Sequence, residues 1–434
     1  MPSEPWRDLV SERVGLVRTL APQVRGMEEP APPYLYTAML SNFDFKLAPR
    51  EERLAAGKGR TPEEAQAAAV GEAVERYCAY HWDPRRTFLA RWEQVQAAAL
   101  SPADCTLYSD EQYARPDWRY HRWSPEEEVT WLHGVELPER RQIAVPASLV
   151  YLVYPVPREE DFFAPASSNG LAAGPSLEAA ILSALYELIE RDALLITWMN
   201  RLPAVEIEFS GSNGVSAAIA RRYARFGVEL RAFLMRTDLP ASVVMAAALD
   251  SDPRRPATLI GMGCHLNPAA ALEKAVFELC QARPSEARRY ADSPPGQRLQ
   301  RYEDVRELED HPAFLGLPER RKEFEFLWSG GEKARLADLP NRARGDAEAD
   351  LAVSVEALRE LERRVAYVDL TAFDIAPSGY RVARALATEL QPIHFGWGQE
   401  RLGGTRLLEA PQRLGFASEP RTAADLNPCP HPLA

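Results

Sequence analysis

The sequence carries one acidic-basic signature twice, Glu72-x-x-Glu75-Arg76 and Glu187-x-x-Glu190-Arg191, each inside a run that is otherwise apolar. Carboxylates three residues apart on a helix share one face, with the following arginine at its flank. A single copy suits any exposed helix, and composition alone yields about one in a chain of this length. Taken singly, either copy reads as a solvated face. The surroundings argue otherwise. Ala68, Ala69, Val70 and Gly71 precede the first pair, and Ile181, Leu182, Ala184 and Leu185 precede the second. Helices this apolar are buried, and their few charges then gather where a buried helix presents ligands to a site. Two such faces turned toward each other would make a cage of Glu72, Glu75, Glu187 and Glu190, suited to Mg²⁺ ions that carry a nucleotide's phosphates.

The starts of these helices are written in the same way. Thr61 is an N-cap, Pro62 fits the first turn and Glu64 completes a capping box, so a helix is expected through the alanines to the first pair. Ser176 caps the helix of the second pair after a turn-rich loop, Ser168-Asn169-Gly170-Leu171-Ala172-Ala173-Gly174-Pro175. Asn267 and Pro268 open a third helix, which carries Glu278, Gln281 and Arg283. Strands are expected at about 228–235, 242–249, 257–262 and 365–370, and a helix at 351–364. The apolar run 147–156 reads as a buried strand. Residues 83–145 read as a peripheral region of short elements, and 284–350, polar and rich in Arg and Glu, as an insertion or lid. The expected organisation is an N-terminal segment, 1–52, and a catalytic domain, 53–434, that ends in a Pro-rich tail, 427–434.

Bulk properties narrow the function. A chain of 434 residues can bury a large core, and 46% hydrophobic with 26% charged residues is ordinary for a folded protein. A net charge of −12 with no concentrated Lys/Arg stretch argues against nucleic-acid binding. No apolar run approaches membrane-spanning length and the N-terminus lacks a signal-peptide pattern, so a cytoplasmic protein without membrane association is expected. Cys78, Cys105, Cys264, Cys280 and Cys429 are scattered, with no Cys-x-x-Cys pair for a structural zinc site.

Other signals are weaker. Gly57-Lys58-Gly59 is similar to part of a phosphate-holding loop, yet alone it is more often a tight turn, and it is no Walker A motif. The Asn169-Gly170 loop is likewise more often a turn than a site, and Glu278-x-x-Gln281 would usually be surface. His265 suits a core or turn position, and Cys78 buried packing. No nucleophile–base–orienter set stands out. The inventory suits metal, phosphate and positioning better than covalent catalysis.

Together these residues resemble the YcaO superfamily, in particular the azoline-forming cyclodehydratases of thiazole/oxazole-modified peptides. The matching segments are 57–77, 168–193 and 261–283, with weaker similarity from Phe395 to Leu426. The resemblance implies a mixed α/β (α+β) fold of the YcaO ATP-binding type, with mixed sheets and buried helices presenting carboxylates. It implies ATP and Mg²⁺ as cofactors, with Glu72, Glu75, Glu187 and Glu190 as metal ligands. Lys58, Arg76, Asn169, Arg191, Glu278, Gln281 and Arg283 would hold nucleotide. Azoline-forming members end in Pro-x-Pro-x-Pro, here Pro428, Pro430 and Pro432, and their tail carboxylate, here that of Ala434, is implicated in proton transfer. Ala68 and Ala69 stand where members often carry serine, and Ala179 where a second acidic residue is common. The implied substrate is a ribosomally made precursor peptide. The implied partners are a ThiF-like protein of the ubiquitin-activating-enzyme kind that binds the leader segment, a flavin-dependent azoline dehydrogenase and a second copy of the chain. Two rivals stay open: a member forming amidine or thioamide, and a non-catalytic scaffold of the same fold.

Overall fold

The computed structural model describes residues 5–41, 53–154, 158–209 and 214–433. The N-terminal part forms β1 (Val17–Pro22), β2 (Tyr34–Leu40), β3 (Leu54–Gly59) and helix α1 (Pro62–Tyr80). There follow β4 (Thr87–Arg91), the short helices α2 (Trp92–Val95) and α3 (Asp110–Tyr113), β5 (Glu128–Leu137), β6 (Arg141–Pro146) and β7 (Leu171–Gly174). The long helix α4 (Leu177–Met199) leads to β8 (Val205–Glu208), α5 (Val215–Ala224), β9 (Val228–Leu234), β10 (Ser242–Asp250) and β11 (Thr258–His265). Helix α6 (Pro268–Asp292) precedes α7 (Asp310–Leu315), α8 (Glu325–Trp328), β12 (Lys333–Arg335) and α9 (Ala347–Glu360). β13 (Val365–Asp369), β14 (Arg381–Ala387) and α10 (Arg406–Arg413) follow.

Three sheets result, of order β1-β2-β3, β4-β5-β13-β14-β7 with β6 also on β5, and β11-β10-β9-β8-β12. Pairing is antiparallel except between β8 and β12. Because β2 pairs with both β1 and β3, the first sheet runs across the 52/53 division. Each sheet carries one of the long helices on its face: α1 on the first, α4 against β7 and β14, α6 on β10 and β11. The largest core cluster surrounds α4, whose Ile189, Leu194, Leu195 and Trp198 are fully buried. From Asp192 to Met199 every residue of α4 is buried, as a helix half that is apolar nearly all round requires. No helix among the described residues is long and apolar enough to cross a membrane.

The three expected helix starts form by their own caps. Glu64 N–H donates to Thr61 Oγ1 at 3.2 Å, Ala179 N–H to Ser176 Oγ at 3.1 Å and Ala269 N–H to Asn267 Oδ1 at 2.9 Å. The Glu64 carboxylate reaches back one residue further than a capping box requires, to Arg60 N–H at 2.7 Å.

Several expectations need correction. The run 147–156 is not a strand: a short 3₁₀ turn at Ala147–Leu149 opens it, with Val150 and Tyr151 buried, and 155–157 lie outside the described residues. Apolar composition alone cannot separate a strand from a buried irregular segment. Residues 83–145 include β5, which pairs with β4, β6 and β13 and buries Trp131 and Leu132 completely. Residues 284–350 are no solvated excursion. Helix α6 runs through Pro284 to Asp292, and Leu299, Val305, Phe314, Leu315, Phe324 and Leu327 enter the largest core cluster.

Gly57-Lys58-Gly59 is neither a loop nor a turn but the end of β3. A Cβ on Gly57 would fall on the main-chain nitrogen of Ala69 and the carbonyl oxygen of Ala65, so β3 and α1 touch backbone to backbone. Gly261 on β11 meets Leu279 of α6 in the same way. We predict that Gly57→Ala costs about 2–3 kcal/mol, the order of a core overpacking. A denaturation midpoint equal to that of the wild type would disprove the contact.

Candidate functional site

Helices α1, α4 and α6 meet around one cavity of about 1230 Å³. On its wall stand Lys58 of β3, Glu72, Glu75 and Arg76 of α1, Glu187 and Arg191 of α4, and Glu278 and Gln281 of α6. Trp6, Ser167, Ser168, Tyr380 and Phe395 complete the part of the wall that matters here.

Each carboxylate has a defined holder. Glu72 accepts Ala56 N–H of β3 at 3.0 Å and the Arg76 guanidinium at 2.8 Å. Glu75 accepts Ala173 N–H of β7 at 3.2 Å, which ties α1 to the sheet beneath α4. Arg191 reaches back one turn to Glu187 at 3.4 Å and pairs closely with Glu190. Lys58 Nζ bridges β3 to α6 through Glu278 at 3.3 Å.

The electrostatics explain why these groups sit together at a cost. Burial pushes the Glu75 carboxyl well above the usual carboxylate range, and the charges of Glu72 and Glu187 push it further. Burial also raises Glu187, against the pull of Arg191 and Arg384. Glu190 is raised by burial, opposed by Arg191 and reinforced by Glu278 and Glu187. Carboxylates on the wall (Glu72, Glu75, Glu187, Glu278, Glu309) outnumber its cations Lys58, Arg76 and Arg191. Such a site is relieved by adding positive charge, and its all-oxygen donor set suits a hard cation such as Mg²⁺. Among the described residues no three carboxylate, imidazole or thiol side chains already converge on a single point. Arg76 is paired with Glu72, and Arg191 with Glu187 and Glu190.

The structure gathers most of the expected residues and separates others. Glu190 lies just behind the wall, its carboxylate held by Arg191. Asn169 belongs to the rim loop, but it lines a neighbouring cavity of about 70 Å³, where its Oδ1 is buried without a partner. Ser168 of the same loop lines the main cavity, and Ser167 lines both. Arg283 is a correction. It is turned away from the cavity into a buried cluster, pairing with Glu29 and with Asp250 at 2.6 Å. Two residues along a helix rotate a side chain about 200°, so Gln281 and Arg283 point in opposite directions. Pro430 and Pro432 are buried and Pro428 is exposed, none of them on the cavity wall, while Ala434 lies outside the described residues.

Arg384 is the residue that sequence reasoning missed. It is 2% exposed on β14 and donates to the carbonyls of Ser167 at 2.7 Å, Asn169 at 2.6 Å and Val150 at 2.8 Å. It thus fixes the rim loop, and burial lowers its own pKa to about 10. An arginine inside the apolar run Val382-Ala383-Arg384-Ala385-Leu386 was the available signal.

The family model described as YcaO cyclodehydratase, ATP- and Mg²⁺-binding, matches residues 56–391, which is most of the chain and all of the long helices around the cavity. The chain belongs to the YcaO family. An uncharacterized protein of Methanothermobacter thermautotrophicus is 31% identical over 356 residues, 80% of this chain and 84% of that one. Among solved structures, a heterocyclase in complex with substrate and cofactor superposes with a TM-score of 0.80 at 25% identity. That match covers 99% of this chain, which spans 56% of the heterocyclase's length. The fold is also that of YcaO from Methanopyrus kandleri, whose structure is bound with AMPPCP and Mg²⁺, with a TM-score of 0.64, 22% identity and 90% and 91% of the two chains covered. The YcaO family binds ATP and Mg²⁺, and the carboxylates, lysine and arginines on this cavity wall fit both.

Proposed function

We propose that this YcaO protein is an ATP-dependent cyclodehydratase that converts Cys, Ser or Thr residues of a ribosomally made peptide into thiazolines or oxazolines. The observation that carries the reading is the meeting of the two Glu-x-x-Glu-Arg faces at one cavity with Lys58. In the reaction, the side-chain sulfur or oxygen attacks the preceding amide carbonyl carbon, and the resulting oxyanion takes the γ-phosphoryl group of ATP, releasing ADP. Phosphate then leaves and the amide nitrogen gives up its proton, so the ring closes with net loss of water. Mg²⁺, when bound, neutralises phosphate charge. The protein's part is positioning and charge balance. Glu72, Glu75, Glu187 and Glu190 are the metal-holding groups of this reading, and Lys58, Arg76 and Arg191 face the phosphates. The Pro428-x-Pro430-x-Pro432 motif of the tail, which Leu433 and Ala434 follow, favours azoline formation over amidine or thioamide chemistry.

The reading extends to a separate ThiF-like protein that binds the leader, a flavin-dependent dehydrogenase that acts on the azolines, and a homodimer. The test combines purified protein, partner and a Cys/Ser/Thr-rich precursor peptide. Phosphate release together with one water mass lost per ring is the expected result; complex formation without nucleotide binding would favour the scaffold instead. Within the active protein, Lys58→Met is expected to raise the KM for ATP about tenfold, the worth of one charge-assisted contact to phosphate. An unchanged KM would remove Lys58 from the nucleotide site.

A further inference from the structure

Three of the chain's seven histidines meet where the C-terminal segment is seated. His311 of α7 and His394, beyond β14, pack against His431 of the tail, and the three are 0%, 3% and 0% exposed. The His311 and His431 rings stack with centroids 4.0 Å apart, and His394 meets His431 edge-on at 4.8 Å.

The hydrogen bonds fix the protonation state of two of these rings. Gly396 N–H lies 3.0 Å from His311 Nε2, and an N–H can only donate, so this nitrogen is the acceptor. His311 Nδ1 then carries the proton and donates to the His431 carbonyl at 2.9 Å. Leu433 N–H donates to His431 Nδ1 at 3.3 Å, and His431 Nε2–H donates to the His394 carbonyl at 2.7 Å. Both rings are therefore neutral, and each is held in a single tautomer. A proton added to either would set one N–H against another. Burial works the same way, pushing His311 down to about 4 and His431 well below the usual imidazole range. The charges nearby are Asp310, which pulls His311 upward, Arg191, which presses His431 downward, Arg401, which presses His394 downward, and Glu400, 3.8 Å from His394 Nε2.

The clasp has a direction. Trp198 Nε1, near the end of α4, donates to the Cys429 carbonyl at 3.0 Å, and Asn427 N–H donates to the Met199 carbonyl at 2.7 Å. Arg191 lies two turns earlier on the same helix, and its charge is felt at His431. The tail thus runs back along α4 toward the cavity. The segment it is tied to, His394-Phe395-Gly396, supplies Phe395 to the cavity wall.

We propose that His311 and His431 are positioning residues of the cyclisation, a pair of stacked neutral rings that clasps the 426–433 segment to the Phe395 wall and aims it along α4 at Arg191. The catalytic consequence rests on the function proposed above; the clasp itself does not. The test compares His311→Leu, His431→Leu and His431→Gln in the whole protein, since a glutamine amide can donate where Nε2–H did. Two quantities are read: hydrogen–deuterium exchange of residues 426–433, and steady-state ATP turnover with partner and peptide. Leucine at either position is expected to speed exchange in that segment and lower kcat by about tenfold or more, with the KM for ATP within about twofold, because misaiming a group costs rate rather than binding. Glutamine at 431 should recover most of both. Unchanged exchange in the leucine variants overturns the clasp. Faster exchange with wild-type kcat, or glutamine no better than leucine, overturns the positioning role. A wild-type protein that turns over no ATP removes the functional reading and that role with it, while exchange still decides the clasp. Should leucine at 311 unfold the chain, the two variants at 431 carry the comparison.

Discussion

Glu75→Gln is expected to lower ATP turnover by about a thousandfold while making the ligand-free protein more stable than the wild type. The first half follows from electrostatic stabilisation, where loss of one well-placed group costs of that order. The second follows from the charge balance of the cavity. Glu75 is enclosed by protein on the sides away from the cavity, and burial and the charges of Glu72 and Glu187 raise its pKa well above the usual range. A group whose folded pKa is raised contributes stability that is fully present below its unfolded value and is lost as pH rises through the folded one. The ligand-free wild type should therefore lose thermal stability as pH rises above the ordinary carboxylate range. Glutamine carries no such charge, so the variant should melt higher at the alkaline end, with a flatter pH dependence. Mg²⁺ with ATP should reverse the order, stabilising the wild type more than the variant. Melting curves at several pH values, with and without Mg²⁺-ATP, together with turnover, make the test. A variant that melts below the wild type at pH 8 without ligand and keeps its turnover would sink the electrostatic account of the site.

What could be read in the sequence was what lies close together along the chain. Thr61, Ser176 and Asn267 announce their helices because a cap is completed within a few residues. The doubled glutamate pairs were legible because apolar neighbours told that the carbonyl-bonded helix around them would be buried, leaving its carboxylates to face something other than water. What was not legible depends on partners distant in sequence. Gly57 matters because α1 lies on β3 with no space for a Cβ, and nothing in Gly57-Lys58-Gly59 distinguishes that from a turn. Arg283 misled because nearness to Gln281 in sequence means the opposite face on a helix. Arg384 holds three carbonyls of residues more than two hundred positions earlier. The histidines that seat the tail come from three separate segments, and His431 alone, between two prolines, gave no hint of a stacking partner.

The largest stability effect is expected at Arg406 of α10. Its guanidinium donates to both oxygens of Asp192, at 2.7 and 2.6 Å, and to Asp238 at 2.8 and 3.1 Å. Asp192 is 0% exposed and follows Arg191 directly on α4, and it also accepts Gln391 N–H at 2.8 Å. This bidentate pair ties α10 to the helix that presents Glu187 and Glu190. Arg406→Ala leaves the Asp192 carboxylate buried and without its cation, so a loss of about 3–5 kcal/mol is expected in chemical denaturation. The penalty comes mostly from the stranded charge rather than from the pair as such. Joint replacement, Asp192→Leu with Arg406→Met, should therefore recover much of the stability that Arg406→Ala loses. If the pair only stabilises the fold, the double variant should also recover turnover. If the Asp192–Arg406 pair sets the rotation of α4, stability should return while turnover stays low, because Glu187 and Arg191 would no longer meet the cavity at the same angle. An Arg406→Ala protein as stable as the wild type would show that α10 is held by its apolar contacts, Leu407 and Ala410, alone.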